Sequence, residues 1–227
     1  MSVTAPGAHG GTRPALRLPR REHVRQVDHS DPLPYYYAPL TAWLYRERLR
    51  MALDLLGPGP FDRLLEAGYG SGILLPALRD RARALCAMDL HRQASVVQQM
   101  LATERTDADL AIGNVCRLGY VGGSFDALVC VSTLEHLHGE ELDQAVREFR
   151  RVLRPGGVAV VGVPASGWAM DLLFRAIGFS EIGEHHVSTH GNVEEALRRH
   201  FAIDAERRLP GFAPRRVALY TVFRGRT

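Results

Sequence analysis

Glu66, Gly68, Gly70 and Gly72 alternate along one short stretch, and Asp89, Ser132 and His136 follow in order. Glycine tolerates φ > 0 and lets a ligand touch bare backbone. A helix starting near Ser71 would add free N–H groups and a partial positive charge, so a polar, partly anionic ligand should lie across this turn. An acid at the end of the next strand, Asp89, is placed to accept bonds from both ribose hydroxyls, or to cap a helix starting near His91. With the glycine turn beside it, the ribose role is favoured. Histidine suits proton removal near neutral pH, and His136 lies just past a buried strand, where it acts as a base or packs its own turn.

These residues need a scaffold that brings strand ends together. Residues 63–67 read as a buried strand, and residues 71–81 as a helix with Leu74, Leu75 and Leu78 on one side. Residues 84–90, 108–113, 125–132 and 158–163 read as further strands. Helices at 91–103 and 140–153 separate them, the second ended by the Pro155-Gly156-Gly157 stop. Strand 125–132 is continuously apolar, as a parallel strand covered on both faces should be. Asn192 and Glu195 suggest a capping box starting a helix to His200, with last strands at 202–209 and 217–223. The alternation predicts an α/β fold with a doubly wound, mostly parallel sheet, in which ligands bind at the carboxyl ends of strands. The third glycine, Gly72, comes one residue too early for the dinucleotide fingerprint.

Before the first strand, residues 40–56 carry Trp43, Leu44, Leu49, Leu53 and Leu56 as an apolar stripe, ended by Gly57-Pro58-Gly59-Pro60. This predicts an N-terminal helical cap over residues 31–60, preceded by a disordered basic tail, residues 1–30. Tyr35, Tyr36 and Tyr37 cannot all face one way, so one should reach a pocket or solvent.

The spacing of Glu66 and the three glycines resembles the first motif of class I S-adenosylmethionine-dependent methyltransferases. So do the Phe125-Asp126 to Leu134-Glu135-His136 pattern and the Pro-Gly-Gly stop. The resemblance covers residues 63–163 and implies a seven-stranded Rossmann-like sheet with an antiparallel C-terminal hairpin. It implies that Glu66, Gly68, Tyr69, Gly70 and Gly72 meet the amino-acid end of S-adenosylmethionine, and that Asp89 and Leu90 meet its ribose side. Asn114 stands where the family usually has Asp; its amide oxygen can accept the same adenine bond, with the Val115 N–H at the ring. Ser132 closes the site at the fourth strand. The core is then residues 61–227, with a lid insertion at about 164–191. Within it Trp168, Met170, Phe174 and Phe179 serve either core packing or an apolar acceptor pocket. Tyr36, Tyr37, Trp168 and His186 are the candidate acceptor residues.

Composition excludes other chemistry. All 28 basic residues are arginine, so there is no Schiff base, P-loop lysine or lysine base. The net charge of +3 sits in residues 1–30, leaving the rest neutral, which disfavours nucleic acid. Cys86, Cys116 and Cys130 form no metal-type pair, and His185, His186 and His190 lack helix-facing ligand spacing, so no metal is expected. No signal peptide or membrane span is apparent, and a reduced, cytoplasmic protein, monomer or homodimer, is expected. The leading reading is transfer of a methyl group to an O, N or C nucleophile of a small, aromatic or apolar molecule in a biosynthetic reaction. The alternatives are a non-methylating reaction such as a cyclisation on the same fold and cofactor, and a non-catalytic binding protein.

Overall fold

A computed structural model of the chain describes residues 16–28, 31–164, 188–212, 214 and 217–227. Seven strands form one sheet in the order β3-β2-β1-β4-β5-β7-β6. They are β1 (Phe61–Ala67), β2 (Ala82–Asp89), β3 (Asp109–Ile112), β4 (Phe125–Val131), β5 (Leu153–Pro164), β6 (Ala202–Leu209) and β7 (Tyr220–Arg226). The first five run parallel; β7 lies antiparallel between β5 and β6. This is the doubly wound sheet with a C-terminal hairpin that the sequence implies.

Side chains alternate across the strands, so neighbours feed opposite layers. Leu64 packs on one face with α1 (Ala42–Leu56), α2 (Leu75–Arg79) and α3 (Ala94–Thr103). Leu65 and Ala67 pack on the other with α4 (Gly139–Val152) and α5 (His190–His200). Both layers are dry: Leu64, Leu65, Phe125, Leu128, Phe149 and Val222 are wholly buried. At the amino ends of the strands, Asp126 accepts from the Arg63 backbone N–H at 2.8 Å and pairs with Arg154. That clamp leaves the carboxyl ends free for a ligand.

Several boundaries differ from the expectation. α2 starts at Leu75, not near Ser71, because Gly68, Gly70 and Gly72 all have positive φ and hold the chain in turns until they end. α3 starts at Ala94 rather than His91. α5 is capped three residues early, by Thr189, whose hydroxyl accepts from Asn192 N while Asn192 Oδ1 accepts from Thr189 N. β7 begins at Tyr220 because its register is set by pairing with β5, from Tyr220 opposite Pro164 to Arg226 opposite Val158. Among the described residues no helix is long and apolar enough to cross a membrane.

The tail also departs from expectation. Residues 16–28 are packed, with Val24 and Val27 buried in the core. His23 Nδ1 meets Glu104 at 2.6 Å, the Arg20 N–H donates to Glu104 at 2.8 Å, and Arg17 bonds Asp80 and Thr106. Residues 16–28 thus strap the segment ahead of α1 to the carboxyl ends of α2 and α3. The strap has no helical or strand periodicity, which is why a pattern search reads it as disorder, and its partners lie some 80 residues away. Deleting residues 1–25 is expected to lower the melting temperature by about 5–10 °C, from the lost Val24 burial and two charge-assisted contacts. A scan of the truncated chain checks this; an unchanged midpoint would mean the strap adds nothing to stability.

Candidate functional site

The carboxyl ends of β1, β2 and β4 meet under the strap. There a cavity of about 180 Å³ is lined by Asp28, Asp31, Tyr36, Glu66, Gly68, Tyr69, Gly70, Ser71, Asp89, Ser132, Thr133 and His136, among others. Pockets that bury a whole drug-sized ligand span roughly 300–1,000 Å³, so this half-open volume suits one end of a larger molecule.

The glycine turn is its floor. Gly68, at φ +83, has no room for a side chain, since a Cβ there would overlap the Thr133 hydroxyl. A Cβ on Gly72 would meet Val97 of α3 at 2.6 Å, so this glycine lets α3 close on the turn rather than line the cavity. Asp89 Oδ2 accepts from the Gly70 N–H at 2.8 Å, and Oδ1 from the His91 N–H at 3.2 Å. Asp89 therefore faces the turn and is not the cap of α3. His91 completes the corner: its Nε2 lies 2.9 Å from Gly70 O and its ring sits edge-on to Tyr69.

Glu66 is 3% exposed, and its Oε2 has no hydrogen-bond partner; the Tyr69 hydroxyl is likewise buried and unpartnered. Burial, with Asp89 adding repulsion, raises the Glu66 carboxyl well above the usual range. Burial also pushes Asp31 up to about 6 and Tyr69 up to about 12. Buried polar groups are normally satisfied, and exceptions mark places where a ligand completes the set. A cation is what two destabilised carboxylates would welcome.

The fourth strand end is strained. Ser132 has φ +55, a left-handed conformation that a non-glycine residue adopts only where the surroundings enforce it. Its N–H donates to Gly162 O at 2.8 Å and its hydroxyl meets Tyr220 OH at 2.8 Å. Behind it lies buried Arg48, which donates to Tyr36 OH at 3.1 Å and stacks on Tyr45 and Tyr220. Glu135 points away from the cavity into this region, and burial raises its carboxyl to about 8. His136 closes the short 3-10 turn Leu134–His136 and lines the cavity beside Thr133.

The structure thus gathers Tyr36, Glu66, Gly68, Tyr69, Gly70, Asp89, Ser132 and His136. Others of the expected set lie apart. The Tyr37 hydroxyl donates to Pro19 O at 2.6 Å and its ring carries Arg21 and Arg46, so it anchors the strap and does not line the cavity. Asn114 Oδ1 accepts from Cys116 N at 2.8 Å, and Val115 is buried beside it. Leu90 is 69% exposed, on the open side of the β2 end. Trp168 and His186 fall outside the described residues. Sequence reasoning missed Asp31 and Ser71: the first was visible only as an acid before two prolines, the second only as a spacer between glycines.

Comparison with known proteins follows the same lines. Residues 65–161 match the family model described as a methyltransferase domain. A probable S-adenosylmethionine-dependent methyltransferase of Mycolicibacterium smegmatis is 36% identical over 101 residues, covering 44% of this chain and 37% of the relative. A malonyl-[acyl-carrier protein] O-methyltransferase of Serratia marcescens is 30% identical over 139 residues, covering 59% of this chain and 51% of the relative. The chain thus spans about half or less of the length of these relatives. In fold it resembles N-methyltransferase NodS from Bradyrhizobium japonicum solved with S-adenosyl-L-homocysteine, at 18% identity and a TM-score of 0.64, covering 89% of this chain and 94% of that one. The [4+2]-cyclase SpnF resembles it similarly, at 20% identity and a TM-score of 0.62 over 84% of this chain and 83% of that one. Residues 65–161, with their glycine turn and strand-end acid, are thus similar to a methyltransferase domain.

Proposed function

We propose that the chain transfers a methyl group from S-adenosylmethionine to an O, N or C nucleophile of a small, aromatic or apolar molecule. The observation that carries this is the buried Glu66 carboxyl at the glycine turn, whose Oε2 has no hydrogen-bond partner and which lines the same cavity as Asp89. When bound, the cofactor supplies an activated methyl on a sulfonium, a good leaving group. The residues then have to orient and to exclude water. Glu66 and the bare backbone of Gly68 would hold the amino-acid end, and Asp89 the ribose hydroxyls. Leu90, Asn114 and Val115, which do not line the cavity, would flank the adenine. Ser132 and Tyr36 would shape the acceptor side, and His136, which lines the same cavity, would be its proton acceptor. Curated relatives named as O-methyltransferases and an N-methyltransferase fold neighbour support methyl transfer to a heteroatom.

The fold also serves a [4+2]-cyclase. Product mass separates the two: incubation with S-adenosylmethionine and a panel of phenols, amines and acids should release S-adenosylhomocysteine and add one methylene's mass to an acceptor. A product of unchanged mass would instead favour cyclisation.

Binding should depend on pH in a defined direction. With the cavity empty, Asp31 titrates at about 6 and Glu66 well above its ordinary value, both from burial. A cation favours their charged forms, so below that range binding must expel a proton. For Asp31 alone, affinity for S-adenosylmethionine is expected to weaken about tenfold from pH 7 to pH 5. Empty-protein stability runs the other way: a raised folded pKa means the native state holds the extra proton, so stability declines as pH rises through roughly 4 to 6. Calorimetric titrations at the two pH values, in buffers of different ionisation enthalpy, test this through the protons released.

A further inference from the structure

The cavity is acidic on three elements at once. Asp31 comes from the segment leading into α1, Glu66 from β1 and Asp89 from β2, with Asp28 at the rim. Among the described residues lining it there is no arginine, in a chain with 28 basic residues. Asp89 accepts from Gly70 and His91, on the β2 side. Asp31 sits on the other side of the turn: its Oδ1 accepts from the Ser71 hydroxyl at 3.4 Å and the Leu33 N–H at 3.1 Å, its Oδ2 from the Val27 N–H at 3.3 Å. Those bonds fix the carboxylate in one orientation, and Oδ2, which accepts one of them, keeps capacity for another donor. The buried Glu66 Oε2 in the same wall has no partner at all.

We propose that Asp31, supplied from outside the sheet, joins Glu66 in binding the α-ammonium of the cofactor's amino-acid end. This rests on the cavity being the cofactor site. It makes the N-terminal segment a part of the binding site as well as a strap. It also means that this chain reads the amino-acid end by its positive group. A sulfonium partner is the rival ligand for Asp31, and a purely architectural role, ordering residues 27–33 through the Val27 and Leu33 bonds, is the rival function.

The test is a cycle between one side chain and one ligand group. The full chain and its Asp31→Asn variant are titrated calorimetrically with S-adenosylhomocysteine, which lacks the sulfonium, and with its deaminated analogue, which also lacks the ammonium. The wild-type chain is expected to bind the deaminated compound about tenfold more weakly, the scale of one charge-assisted bond. In Asp31→Asn, S-adenosylhomocysteine should weaken by about tenfold and the deaminated compound by no more than about twofold, so the gap closes. Asp31→Glu, retaining the charge, should retain most of the gap. Equal weakening of both ligands in Asp31→Asn would reduce Asp31 to architecture and overturn the proposal. So would a wild-type chain indifferent to deamination, or an Asp31→Asn variant that weakens S-adenosylmethionine alone. Should Asp31→Asn fail to fold, Glu66→Gln breaks no bond seen in the structure, and an unchanged gap there overturns the proposal as well. Failure of wild-type protein to bind either compound would instead remove the cofactor site itself.

Discussion

Replacing Gly68 with alanine is expected to abolish cofactor binding, weakening it by about 100-fold or more. Two costs combine. At φ +83 an L side chain is strained, by roughly 1–2 kcal/mol. The new Cβ would also overlap Thr133 Oγ1 and approach its Cγ2 and Cβ at 2.8 and 2.9 Å. Threonine is branched at Cβ and has few rotamers to retreat into, so the β4 end must move. That end carries Ser132, already strained and tied to Gly162 and Tyr220, and His136. Calorimetry and a melting scan measure both costs. A double variant, Gly68→Ala with Thr133→Ala, should recover part of the affinity, because it removes the Oγ1 and Cγ2 overlaps and leaves the Cβ contact and the strain. Affinity within about threefold of wild type for the single variant would show that neither the turn nor the Thr133 contact governs the cavity.

The second large effect is expected at His136. His136 lines the cavity on the β4 side, one residue beyond Glu135, which turns inward, and its backbone N–H donates to Thr133 O at 3.2 Å. If it takes the acceptor's proton, His136→Ala should lower turnover by roughly 10²–10⁴-fold while affinity for S-adenosylmethionine stays near normal. If it only shapes the turn, affinity should fall together with turnover. Separate measurement of kcat and cofactor affinity therefore decides the role. No change in either would move the proton acceptor to another group, or to an acceptor that needs none.

The sheet was legible in the chain because its information is local. Residues 63–67 and 125–132 are short apolar runs bounded by turns, and the glycines at 68, 70 and 72 mark a turn whatever packs around it. A parallel order with ligands at the carboxyl ends follows from alternating strands and helices, so Gly68, Asp89 and Ser132 could be placed at one edge before any coordinates. The boundaries were less legible. Positive φ at three glycines delays α2 by about one turn, and the β5 pairing register, not the local pattern, starts β7 at Tyr220.

What the chain by itself determined is where a ligand can sit: bare backbone, a strand-end acid and a nearby histidine are set at strand ends by residue type and spacing. What only the tertiary structure decided is which carboxylates share one cavity. Asp31 and Glu66 lie far apart in sequence, in segments with unrelated patterns, and no spacing rule connects them. They meet because residues 16–28 are clasped to Glu104 and Asp80, which draws the following segment across the glycine turn. The same holds for Tyr37, which composition offers to a pocket and which Pro19 instead takes as an anchor. Contacts of this kind depend on long-range closure of the chain, whose free energy is set by the finished packing and leaves no local signature to read.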